Sequence, residues 1–427
     1  MRIVLACEHL RRLRGAKSTM VTELGDRLVT RGHSVTILCD GVIDPTLYPR
    51  LKVVCRRPEL DHPNSHRLIA LRRWAQQALR SLPHEVSLSF CAAIPATLVC
   101  PCEGWIQLRL EREDRALNDG LRRLGIQLHP NVIERRLVER AVRRDPRVRG
   151  FLALSQTMAD DLSVSPGVEE RFVRVRGASP IEPPAERADL DSWRDATRRR
   201  FGIRDEDTVF LWAGSNGLRH GRSTMLEAVT ALVRSGVDSF VVLIAGEGQW
   251  SAHDRAMRQS IERQVRVLGR TDEMARLWAA VDVGLAPANH STLGRVVWES
   301  LAFGRPVIAT HATGAVDQLR VDDGRLLGRI VRPGDAEALA GAMRDLLDAN
   351  RYERIARLVT EHASEFEFDR FVTDIERTLE RFARADDDRG RVRPREASKS
   401  RDRRSAHESD PAGANNSEPR TVAGAPA

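Results

Sequence analysis

The chain has only three lysines, Lys17, Lys52 and Lys399, among 68 basic residues. Its net charge of +8 is therefore carried almost entirely by arginine, a bias that genome composition explains as readily as an anionic partner does. Apolar runs of about 18 residues, the length a membrane-spanning helix needs, are missing. The longest candidate, residues 91–102, is interrupted by Pro95 and Pro101. No leader-like segment precedes residues 2–7, which already read as a strand, so the expectation is a soluble cytoplasmic protein, at most peripheral on the inner membrane. Paired C-x-x-C spacings are also missing. Cys7 and Cys39 lie in apolar strand-like runs where a thiol behaves as a small hydrophobe, and buried, reduced cysteines are expected rather than a disulfide framework or a metal site at Cys100 and Cys102. Aromatics amount to 5%, and no zinc-finger, helix-turn-helix or RNA-binding signature occurs, so nucleic acid is not an expected partner.

What is present points to two α/β domains. At 427 residues and 41% hydrophobic content the chain can bury two cores and carry an appendage. A strand at residues 3–7, a helix at 18–31 ended by Gly32 and a strand at 34–39 make a βαβ opening of the doubly wound class. Apolar runs at 51–55, 86–91, 150–155 and 171–175 read as further strands. Pro180, Pro183 and Pro184 mark a link, and the pattern then restarts with strands at 209–213, 240–245 and 265–268 and helices near 223–234 and 272–280. The predicted organisation is an N-terminal Rossmann-like domain at 1–180, a linker at 181–196, a ligand-binding Rossmann-like domain at 197–365 and a returning helix at 366–384. From 385 to 427 the chain has almost no large apolar residue and reads as a disordered tail.

The richest stretch is residues 291–299 (STLGRVVWE), followed by SLAFGRPVIAT. Residues 281–287 read as a strand and loop, 295–303 as a helix with Val296, Val297 and Leu301 toward a sheet, and 307–310 as the next strand, with Gly304 and Pro306 stopping the helix. Ligands collect at the carboxyl ends of strands in open parallel sheets. Gly294 would let a diphosphate approach the backbone, where the free N–H groups and dipole of the helix favour an anion. Glu299, about one turn further, is placed to accept both hydroxyls of a ribose. Elsewhere, residues 132–149 form an arginine-rich amphipathic helix pattern. It is either a solvated helix face or a docking surface for anionic headgroups or a phosphorylated acceptor.

In order, the second half carries WAGSNGLRHG (212–221), LIAGEG (243–248), VLGR (267–270) with Asp272, the strand before Pro287, and the 291–299 motif. That succession resembles the GT-B glycosyltransferases of glycosyltransferase family 4, and within them the lipopolysaccharide core glucosyltransferase group. The resemblance extends over roughly residues 1–384, weakly in the first half and well in the second. It implies two Rossmann-like domains facing across a cleft, the second binding a nucleotide-diphosphate sugar and the first presenting a glycan or lipid-linked acceptor. Gly214 and Arg219 would line the diphosphate, Gly15 would approach it from the first domain, Gly269 and Arg270 would offer backbone groups to the base, and Glu299 would hold the ribose. Gly246, Leu293, Gly294 and Val296 complete the implied donor side. In the first half Glu103, within CEGW, is the candidate polar group facing the cleft.

Two departures from the family pattern are visible. The first carboxylate of the usual Glu-x7-Glu is Ser291, and the usual Arg-Lys-Gly is Arg219-His220-Gly221. One expected negative and one expected positive charge are lost together, which leaves either an altered donor sugar or a binding protein without turnover. If active, the resemblance implies retention of anomeric configuration with no metal: Arg219, His220 and Ser291 flank the reacting centre and the leaving diphosphate takes the acceptor proton.

Overall fold

The computed structural model describes residues 1–8, 10, 16–40, 49–56, 67–115, 127–168, 171–215 and 217–391. Met1–Ala383 is one compact unit; of the second unit, which begins at Arg384, the described part continues a helix.

Two parallel sheets organise the compact unit. The first holds β1 (Arg2–Cys7), β2 (Ser34–Asp40), β3 (Lys52–Arg56), β4 (Val86–Ser89), β5 (Leu98–Val99), β6 (Gly150–Ala153) and β7 (Phe172–Arg174), in the order β3-β2-β1-β4-β5-β6-β7. The second holds β8 (Thr208–Ala213), β9 (Phe240–Ala245), β10 (Val265–Gly269), β11 (Val283–Ala286), β12 (Val307–Thr310) and β13 (Gly328–Val331), in the order β10-β9-β8-β11-β12-β13. Central strands such as β4 and β9 are buried at every position. Helices cover both faces of such a sheet, so continuous apolar runs replace the alternation of a half-exposed strand. In each sheet the order reverses beside the first strand of its half, between β1 and β4 and between β8 and β11. These are the points at which a crevice opens at the strands' carboxyl ends.

Strand positions agree with the sequence reading to within one or two residues at most ends. The 181–196 segment is not all extended link, because a helix begins within it at Arg187 and runs to Arg200. Its inner face is fastened by one buried carboxylate: Asp282 accepts from Arg194 (2.7 Å), from Arg198 (2.6 Å) and from the backbone N–H of Val209 (2.8 Å). The helix expected from 366 starts at Phe368 and continues to Arg391. Phe368, Phe371, Val372, Ile375 and Leu379 fall at three- and four-residue spacing and are all buried. Each such side chain contributes about 2 kcal/mol of apolar burial. On its polar side Glu376 takes Arg31 at 2.7 Å and His33 at 2.6 Å, tying this helix to the turn that follows the first helix. The tail from 392 onward lies outside the described residues.

Contacts between the halves are specific. The Ser155 hydroxyl donates to the Thr292 carbonyl (2.6 Å), and the Thr292 hydroxyl donates to the Cys102 carbonyl (2.9 Å). The start of the 291–299 motif is thereby pinned to two loops of the first half.

The arginine-rich segment is a helix over Pro130–Arg143, ending before the arginines at 147 and 149. Glu134, Val138, Glu139 and Val142 face inward. The outward stripe alternates Ile133 and Leu137, 42% and 58% exposed, with Arg136, Arg140 and Arg144. All six cysteines are free thiols, five of them buried, and burial pushes Cys39 up to about 12. Among the described residues no helix is long and apolar enough to cross a membrane.

Candidate functional site

A cavity of about 480 Å³ opens at the carboxyl ends of β8 and β11, at the reversal of the second sheet. That volume lies in the range of small-molecule sites. The loop after β8 supplies Gly214 and Ser215, and the loop after β9 supplies Gly246 and Glu247. Arg270 and Thr271 follow β10, Ser291 to Val296 form the mouth of the next helix, and Cys102 and Glu103 reach in from the first half.

The helix Arg295–Ala302 begins at Gly294, whose φ of 70° lies in the left-handed region. A Cβ there would sit 2.5 Å from the backbone nitrogen of Ala315. Glycine is thus required by the turn and by the neighbouring backbone; the expected approach of a ligand is a separate matter. Ser291 accepts from the Gly294 N–H through its hydroxyl oxygen (3.2 Å) and pairs with Thr313 as an isolated parallel bridge. The serine in the family's carboxylate position therefore helps to close the helix start.

His220 also lines the cavity. A Cβ on Gly214 would come 2.6 Å from His220 Nδ1, so only glycine leaves room for the ring. Trp212 donates its indole N–H to the His220 carbonyl (2.9 Å) and meets the ring edge-on. Burial, and then the positive charges of Arg219 and Arg295, push the imidazole down to about 4. It is neutral at pH 7 and supplies no cation to a ligand.

Glu103, which reaches the cavity from the first half, takes Arg135 at 2.8 Å and Arg109 at 3.7 Å. Burial opposes the Arg135 charge, but Glu103 and Glu139 outweigh it and hold its pKa above the usual range. Glu103 lines the cavity already paired.

Arg219, His220, Ser291, Glu103, Gly214, Gly246, Arg270, Leu293, Gly294 and Val296 are all brought to this one cavity. Gly269 stands behind the wall, in a left-handed turn with its carbonyl accepting from Gly246 N–H (2.7 Å). Gly15 lies outside the described residues. Glu299 requires a correction: it is fully buried and is not part of the cavity wall. Its carboxylate accepts from the Trp278 indole (2.7 Å) and the Ser179 hydroxyl (3.1 Å), with Arg295 Nε 3.3 Å away. Three donors beneath the helix meet the carboxylate that the sequence assigns to a ribose.

Arg295 is the residue that sequence reasoning passed over. It occupies the first helical position, where a cation opposes the helix dipole by about 0.3–1 kcal/mol. That local misfit, one residue after a glycine in a binding motif, was the available signal.

Residues 207–349 match the family model described as glycosyl transferases group 1. WaaG, a glycosyltransferase involved in lipopolysaccharide biosynthesis, superposes with a TM-score of 0.72 over 88% of this chain and 99% of its own, at 18% identity. The fold is GT-B, and the stretch that matches the group 1 model lies in its second half. Anabaena Alr3699/HepE, solved with UDP-glucose, is a second GT-B neighbour, with a TM-score of 0.64 over 89% of this chain and 99% of that one, at 16% identity. Among curated relatives, the lipopolysaccharide core biosynthesis glycosyltransferase LpsE of Rhizobium meliloti is 36% identical over 132 residues, which are 31% of this chain and 37% of LpsE. A GDP-mannose-dependent phosphatidylinositol dimannoside mannosyltransferase of Mycobacterium tuberculosis is 32% identical over 195 residues, covering 44% and 48%. These stretches amount to between about a third and a half of the relatives' length. In this GT-B chain the matched domain contains β8 to β13 and almost the whole cavity wall.

Proposed function

We propose that the chain is a retaining family 4 glycosyltransferase that moves a hexosyl group from a nucleotide-diphosphate sugar to an envelope glycan or lipid-linked acceptor. One observation carries the reading: a cavity at the strand-order reversal joins the mouth of the Arg295–Ala302 helix to the side chains of Arg219, Arg270 and Arg295. Helix N–H groups and guanidinium forks are the donors a diphosphate takes. The relatives' chemistry points the same way, since one neighbour was solved with UDP-glucose and one relative is named for GDP-mannose.

In the proposed reaction the bond between sugar C1 and the β-phosphate oxygen breaks and its electron pair stays on that oxygen. The acceptor hydroxyl oxygen bonds to C1 from the same face, and its proton passes to the phosphate oxygen. No metal takes part. The protein's contribution is orientation and electrostatic stabilisation of the leaving diphosphate. His220 is neutral, so the arginines provide the positive charge. Glu103, which reaches in from the first half, faces the acceptor.

The acceptor side is proposed to work at the cytoplasmic face of a membrane. Ile133 and Leu137, flanked by Arg136, Arg140 and Arg144, form an apolar stripe with a basic border suited to anionic headgroups.

A panel of UDP-, GDP- and ADP-sugars, scored for thermal stabilisation and for nucleotide release with a membrane-extract acceptor, tests the reading. One base class is expected to raise Tm and to release its nucleotide. Stabilisation without release would leave a nucleotide-sugar-binding protein, and no response to any donor would refute the proposal.

A further inference from the structure

Arg295 is a cation on the cavity wall. Its side chain is 28% exposed and lines the cavity, while its partner Glu299 is completely buried. The ion pair between Arg295 Nε and Glu299 Oε1 is 3.3 Å long. Glu299 does not depend on it alone: Oε2 takes the Trp278 indole N–H at 2.7 Å and Oε1 takes the Ser179 hydroxyl at 3.1 Å. A buried carboxylate usually becomes costly when its cation leaves, because the charge is left without donors. Here two neutral donors from other elements remain in place. The guanidinium can turn toward the cavity while Glu299 keeps two hydrogen bonds.

The other positive groups around the cavity are placed differently. Arg270 lies 3.6 Å from Glu247, and Arg219 directs its Nε toward the His290 carbonyl at 3.4 Å. His220 is neutral at pH 7 and stands near enough to Arg295 to feel its charge. Arg295 also sits at the first position of its helix, directly beside the N–H groups that an anion would take. A dianion at this mouth would reverse the unfavourable sign of a cation at a helix N-terminus, since the guanidinium and the dipole would then attract the same ligand.

We propose that Arg295 is a ligand of the donor's diphosphate, exchanging its ion pair with Glu299 for a forked contact to phosphate oxygens while Trp278 and Ser179 hold the carboxylate. Glu299 thereby acts as a positioning residue that stores the guanidinium when the cavity is empty. The inference rests on the nucleotide-sugar reading and names the cation that reading needs opposite a neutral His220.

Calorimetry with UDP and UMP, GDP and GMP, and ADP and AMP tests it on the full chain, comparing wild type with Arg295→Gln and Arg295→Lys. For the base that binds, Arg295→Gln should weaken the diphosphate by about 10-fold or more and the monophosphate by about 3-fold or less, as loss of a charge-assisted contact to one phosphate requires. Arg295→Lys, which keeps the charge and loses the fork, should fall between. The ratio of diphosphate to monophosphate affinity is the readout, and a general loss of packing would not change it. If wild type discriminates and Arg295→Gln keeps the same ratio, the inference is overturned and the nucleotide-sugar reading stands. If wild type binds none of the six nucleotides, both fall. Should Arg295→Gln not fold, a ratio for Arg295→Lys equal to wild type overturns the inference, and a reduced one supports it.

Discussion

Replacing Glu299 with alanine is expected to lower the free energy of unfolding by about 3 kcal/mol, from the loss of a buried, paired carboxylate. The substitution removes the acceptor for the Trp278 indole, the Ser179 hydroxyl and the Arg295 guanidinium at once. Trp278 is fully buried, and so is Ser179, so neither donor can turn to water. A cavity the size of the missing side chain adds to the loss. Glu299→Gln keeps an acceptor for one donor and should cost about 1 kcal/mol. Urea unfolding of the two variants and wild type separates these values. An alanine variant as stable as wild type would show that the carboxylate is not the anchor described here.

Lowering the pH from 6.5 to 4 is expected to remove about 2 kcal/mol of stability through His220 alone. In the folded protein the imidazole is pushed down to about 4, by burial and then by Arg219 and Arg295, from an ordinary value of 6.5. Between these values the unfolded chain binds the proton and the folded chain does not, so the free energy of unfolding rises with pH across that window. Above 6.5 the ring is neutral in both states and its contribution is complete. Below 4 both states are protonated, and the contribution is gone. The full linkage of such a drop is about 3 kcal/mol, and partial exposure of the residue screens it to about 2. Carboxylates lose stability in acid as well, so the test is the difference between wild type and His220→Asn from pH 4 to 7. That difference should shrink as the pH falls. A difference that does not change with pH would contradict the burial and charge environment assigned to the ring.

Most of the architecture was legible because parallel strands buried on both faces leave apolar runs, and the loops after them carry glycines and arginines. The stretches at 240–245 and 307–310 are strands with those same bounds. Nine of the candidate residues converge on one cavity because they follow the carboxyl ends of neighbouring strands of the second sheet, and Glu103 joins them from the first half. Glu299 was misplaced for a reason that a linear motif does not contain. Its direction is set by Trp278 and Ser179, 21 and 120 residues away, which take the oxygens beneath the helix. The two-residue strand Leu98–Val99 lay inside a proline-interrupted run and is too short to leave a periodic signal. Gly214 was singled out for a ligand, yet its tightest requirement is room for His220, a contact across six residues of loop. The helix at Arg187 was hidden by three prolines just before it, and its anchoring to Asp282 is a tertiary event.

On the proposed function, the cavity at the mouth of the Arg295–Ala302 helix holds the diphosphate of a nucleotide sugar. A crystal structure of the protein soaked with the nucleoside diphosphate selected by the donor panel tests this most directly. Both phosphates are expected between the Gly294–Arg295 backbone and the loop at Gly214, with Arg295 turned away from Glu299 onto phosphate oxygens. Nucleotide bound elsewhere, or an empty cavity at saturating nucleotide, would contradict it.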